Sequence, residues 1–126
     1  MKARTDSVRE VCYIVSANGN ILWRDDGTTH AIADSRARWE AIWNCRAALA
    51  EIAHTHPAGP LAFSNEDETT MQAIWAALGR DVIFSVVTPT AMIRTSARGG
   101  VTHVKDEPGW VRAIRAASGL SGGEFQ

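Results

Sequence analysis

The seven residues Glu10-Val11-Cys12-Tyr13-Ile14-Val15-Ser16 constrain the fold more than any other stretch of this chain. They form a nearly continuous run of apolar β-formers rather than an alternating one. A strand of that kind is covered on both faces. Ala17-Asn18-Gly19-Asn20 follows at once, and its Asn-Gly pair supplies a tight hairpin turn into a second strand, Ile21-Leu22-Trp23. The chain thus starts as a β-hairpin, one strand of which belongs in an interior.

Asp25-Asp26-Gly27 reads as another turn, and Thr28 to Ile32 as a short third strand. Asp34-Ser35 looks like a helix start. In the helix that follows, Trp39, Ile42, Trp43 and the stem of Arg46 share one face. Leu49 to Ala53 runs extended into His54. Beyond the Pro57-Ala58-Gly59-Pro60 loop, Ser64 opens a second helix, whose Met71, Ile74, Trp75 and Leu78 recur at helical spacing and mark a buried face. Asp81 to Val87 is a central-strand candidate, Ala91 to Thr95 follows a Thr-Pro-Thr turn, and a short strand lies near Val101 to Val104. Asp106-Glu107-Pro108 starts a terminal helix carrying Trp110, Val111 and Ile114. Hairpins with interspersed helices imply an α/β sandwich around a mixed sheet. With 126 residues, one domain over 1–117 is expected, followed by a mobile Gly/Ser-rich tail, 118–126.

The net charge of -1, with no basic run, argues against a nucleic-acid platform. No apolar segment approaches the length that spans a bilayer, and no apolar core follows Met1 to Asp6 as in a signal peptide. Two cysteines, Cys12 and Cys45, do not make a disulfide framework, so a reduced, cytoplasmic setting is expected.

Chemistry is concentrated in His54-Thr55-His56-Pro57, followed by Ser64 and Asp67. On an extended strand, positions i and i+2 point to the same side, so both imidazoles can meet one ion at the strand end that Pro57 enforces. Two such histidines alone are more often a surface pair. Ser64-x-x-Asp67 before an apolar-periodic helix is close to a capping box, and an acid in the first turn favours the helix dipole. The two readings are compatible. A capped Asp67 can project towards the strand end, and Ser64 is then near enough to stabilise an oxyanion. Two imidazoles and a carboxylate suit zinc and leave a fourth position for water.

Such a site needs a base that is not itself a ligand. Glu40 faces away from the apolar side of its helix. Glu51 lies an odd number of residues before His54 and points to the opposite sheet face. Glu66 and Glu68 diverge from Asp67 by about 100°. Glu10 heads a core strand, where an acid is costly unless it acts. It is the candidate base.

Together, Glu10, His54-Thr55-His56-Pro57, Ser64 and Asp67 resemble the JAMM (JAB/MPN+) metalloprotease motif, and the order of elements is similar along most of the chain. The resemblance implies a cytidine-deaminase-like α/β/α sandwich with a mixed sheet. It implies one zinc ion held by His54, His56 and Asp67, water activated by Glu10, and an intermediate stabilised by Ser64. It further implies cleavage of a peptide or isopeptide bond after the C-terminal tail of a ubiquitin-like protein. The small size suggests a compact bacterial-type enzyme, working beside ubiquitin-activating or ubiquitin-conjugating-type enzymes, for instance in antiviral defence.

Two alternatives stay open: processing of sulfur-carrier proteins or small peptides, and a non-catalytic MPN-type scaffold. Nucleobase deamination lacks its Cys-x-x-Cys ligands. His30 and His103 receive no role. Trp39, Trp43 and Trp75 are expected in the core, whereas Trp23 and Trp110 are candidates for a partner surface. Gly122-Gly123 is read as tail.

Overall fold

In a computed structural model, residues 9–26 and 36–120 are described. The expected strand at Thr28–Ile32, the helix start at Asp34-Ser35, His30 and Gly122-Gly123 lie outside them.

The apolar run forms β1 (Val11–Ser16), and the hairpin returns as β2 (Ile21–Asp26). Gly19, at φ 84, takes the left-handed position of the turn, where a side chain would be strained. β2 runs three residues further than expected: Asp25 and Asp26 pair with Cys12 and Val11 instead of turning. Arg24 grips Asp26 at 2.7 Å, so charge pairing offsets the poor strand propensity of aspartate.

Helix α1 (Arg36–Asn44) leads to β3 (Leu49–Thr55), helix α2 (Asn65–Leu78) to β4 (Ile83–Val87), and β5 (Met92–Thr95) and the two-residue β6 (Thr102–His103) precede α3 (Trp110–Ala117). The six strands form one mixed sheet in the order β2-β1-β3-β4-β5-β6. Among the described strands, only β3 and β4 are parallel, with α2 as their crossover. α2 stops at Gly79, in the left-handed conformation at φ 68, and the Trp75 indole donates to the Val82 carbonyl at 2.8 Å, turning the chain into β4.

Alternate residues of β1 feed two cores. Cys12 and Ile14 pack with Ala41 and Ile42 of α1, Ile52, Phe84, and Met71 and Ile74 of α2. Val11, Tyr13 and Val15 pack with Ala53, Val87, Met92, and Trp110, Val111 and Ile114 of α3. Helices therefore cover both faces, as the unbroken apolar run demanded. Among the described residues, no helix is long and apolar enough to cross a membrane.

Several expectations need correction. Trp43 is 51% exposed, with the Arg46 guanidinium 4.0 Å over its ring, because α1 buries Ala41 and Ile42. Successive residues diverge by about 100°, and the small Ala41 lets that side of the helix approach the sheet, leaving Trp43 outside. Trp110, a candidate for a partner surface, is buried at the start of α3, and Trp23 packs against the first core. α3 begins at Trp110, after the expected Asp106–Pro108 start. Ser118 is fully buried and Leu120 nearly so, although both fall in the stretch expected as a mobile tail; residues 121–126 lie outside the described residues.

Candidate metal centre

β3 carries His54 on the face it shares with Ile52, on the α1/α2 side. The ladder ends at Thr55, and His56 is held one residue beyond it by its N–H donating to the Val87 carbonyl at 2.9 Å. The loop then folds back so that His56 Nδ1 donates to the Pro60 carbonyl at 3.0 Å. A carbonyl can only accept, so this contact fixes the tautomer and directs the Nε2 lone pair inward.

Asp67 approaches from the other side. Ser64 is the N-cap of α2, with both halves of a capping box formed: Asp67 N–H donates to Ser64 Oγ at 3.0 Å, and Ser64 N–H donates to Asp67 Oδ2 at 2.8 Å. The cap thus engages Oδ2, which also faces His56, while Oδ1 faces His54. Ser64 Oγ accepts one bond and keeps its own proton to donate.

The three side chains converge. His54 Nε2 and His56 Nε2 are 3.0 Å apart, and Asp67 Oδ1 and Oδ2 lie 3.4 and 3.6 Å from them respectively. Ligands at about 2.0–2.1 Å on a tetrahedral ion stand roughly 3.3 Å from each other. The cluster has the dimensions to hold a metal ion, and its donor set of two imidazoles and a carboxylate suits one. All three side chains keep 12–20% exposure, which leaves the site open on one side.

Hydrogen bonding to Asp67 raises the His56 pKa, against the opposing effect of burial, with help from the Pro60 carbonyl and the negative charges of Asp67 and Glu10. Burial works against the Asp67 charge, but hydrogen bonds from His54 and His56 overcome it and hold that carboxyl far below the usual range.

Glu10 arrives from a distant part of the sequence. Cys12 pairs with His54 across β1 and β3, and continuing this antiparallel register outwards brings Glu10 level with His56. Glu10, His54, His56, Ser64 and Asp67 all line one cleft of about 860 Å³. Ile42, Ile52 and Phe84 form its apolar depth, and Arg38 also reaches it. Of the other acids, Glu40 pairs with Arg36 at 2.9 Å on the exposed side of α1. Glu51 lies on the opposite sheet face in a two-bond ion pair with Arg94, both contacts at 2.8 Å. Glu66, expected to diverge from Asp67, does line the cleft from the exposed start of α2. The Pro60 carbonyl and Arg38 had no signal in the sequence, since both depend on how a loop and a helix dock.

A scan of protein-family models finds no match to this chain, and no curated protein matches it in sequence.

Proposed function

We propose that this chain is a zinc-dependent hydrolase of the JAMM type, cleaving a peptide or isopeptide bond after the C-terminal tail of a ubiquitin-like protein. The observation that carries the reading is the approach of His54, His56 and Asp67 to within 3.0–3.6 Å, in one cleft with Glu10 and Ser64. A sheet covered by helices on both faces is compatible with the cytidine-deaminase-like sandwich of that family. A cytoplasmic setting accords with the buried Cys12 thiol, its pKa pushed up to about 12 by burial, and with the free thiol of Cys45.

His54 Nε2, His56 Nε2 and Asp67 Oδ1 would hold the zinc. Bound there, the ion would polarise the scissile carbonyl and bring the pKa of a water near 7. Glu10, level with His56, is placed to accept at a carboxylate oxygen the proton of the water that adds to the carbonyl carbon. The Ser64 hydroxyl, with one lone pair already used by Asp67 N–H, donates a hydrogen bond to the developing oxyanion. Glu10 then returns its proton to the leaving nitrogen. The Pro60 carbonyl keeps the His56 imidazole in the required tautomer throughout.

The test is incubation of zinc-loaded protein with a panel of ubiquitin-like fusions ending in glycine, with Glu10→Ala as control. Wild type should release the fusion partner, and the variant should bind zinc without cleaving. Failure to cut any fusion, or undiminished cutting by Glu10→Ala, defeats the proposal.

A further inference from the structure

On the sheet face opposite the cleft lies a buried polar chain. Thr55 and Ser118 are both fully buried. Ser118 Oγ donates to the Arg9 carbonyl in a short contact, and Ser118 O accepts from Arg9 N–H at 3.1 Å. Thr55 Oγ1 accepts from Val11 N–H at 2.9 Å and lies 2.9 Å from Ser118 Oγ. The proton order follows from the inventory. The Arg9 carbonyl can only accept, so it takes the Ser118 proton, and the Thr55 hydroxyl must therefore donate to Ser118 Oγ. Both the Thr55 and the Ser118 hydroxyl then have their partners, in a place that water does not reach.

The placement matters more than the count of bonds. Arg9 and Val11 flank Glu10, and Thr55 sits between His54 and His56. Past Val11 the β1–β3 ladder has ended, and the backbone carrying Glu10 is tied down by two hydroxyls together with the bond from the Arg9 amide to the Ser118 carbonyl. Resting on the hydrolase reading above, we propose that Thr55 and Ser118 are positioning residues: they fix the Glu10 backbone against the strand end bearing the two imidazoles. The metal ligands do not need them, because His56 is held by Val87 and Pro60, and Asp67 by the Ser64 cap. A displacement of about 1 Å of a proton-transferring group lowers turnover by up to about a hundredfold.

Thr55→Val and Ser118→Ala test this, with Thr55→Ser as the conservative variant. Both disruptive variants should bind zinc with wild-type stoichiometry and an affinity within a few fold, and keep KM within about twofold. Their kcat should fall about ten- to hundredfold, with Thr55→Ser restoring most of it. Amide exchange gives a readout that needs no catalysis. In Thr55→Val the Val11 amide should exchange at least about tenfold faster, while the His56 amide, bonded to Val87, stays slow. Unchanged kcat, zinc lost in parallel, or exchange rising equally along β3 would overturn the proposal. If wild type cleaves nothing, the hydrolase reading falls and exchange decides alone: local opening at Val11 supports the tie, and its absence removes it.

Discussion

Asp67 serves two neighbours with its two oxygens: Oδ2 takes the Ser64 amide and Oδ1 faces His54. Ser64 divides its hydroxyl likewise, with one lone pair to the cap and the proton to the cleft. Structural and chemical duties are therefore separable by substitution. Ser64→Ala should lose about 1 kcal/mol of stability with the cap. It should also lose about a hundredfold to a thousandfold in kcat with the oxyanion donor. An ionised aspartate caps helices well but donates nothing, so Ser64→Asp should recover the thermal midpoint and leave turnover low. Recovery of both together would assign Ser64 a capping duty alone. This double use explains why a sequence pattern that on its own favours a helix start is also compatible with a site residue.

At the scale of elements, β3 and α2 present the candidate ligands through features readable along the chain: strand parity for His54, a proline stop, and a cap at Ser64. Glu10 differs, because its place follows from the β1–β3 register, which no local pattern encodes. Exclusion of competing acids pointed to it, but Glu66 shows the limit of that logic, since its first-turn position still reaches the cleft. Trp43 was misplaced because an apolar stripe fixes a helix face only to within a residue or so of rotation. Ser118 was lost in a Gly/Ser-rich stretch, since its partners, Arg9 and Thr55, are remote in sequence. α3 itself is docked by Arg115, which binds Glu107 at 2.7 Å and donates to the carbonyls of Thr88 and Ala91. A lysine cannot reproduce that fork, so Arg115→Lys should cost about 2 kcal/mol in denaturant unfolding, without change in zinc stoichiometry. A wild-type midpoint would show that α3 is held by its apolar face alone.

For the whole molecule, the His56–Asp67 pair makes stability depend on pH in opposite senses with and without metal. The raised His56 pKa contributes stability below its unfolded value of about 6.5, which is lost as pH rises through the folded value. The depressed Asp67 pKa contributes above about 3.9 and is lost as pH falls through its folded value. Metal-free protein should thus gain most from the pair between about pH 4 and 6.5. Zinc needs His56 neutral, so a single competing proton weakens binding roughly tenfold per pH unit below the His56 value. The gap in thermal midpoint between zinc-loaded and chelated protein should widen from pH 6 to pH 8, reaching on the order of 10 °C at saturating metal. A gap that narrows over this range would count against histidine ligation.

The parallel β3–α2–β4 crossover has a consequence for how the molecule comes together. Its loop and flanking residues bring all three candidate ligands from one continuous segment, whereas Glu10, the proposed base, must be delivered by a hairpin made far upstream. Contacts close in sequence form sooner than remote ones. Refolding in the presence of zinc should therefore show ion capture before hydrolytic competence, with the lag set by docking of the N-terminal hairpin. Stopped-flow zinc fluorescence beside interrupted-refolding assays would measure the interval, and simultaneous onset would mean that the ion waits for the complete sheet.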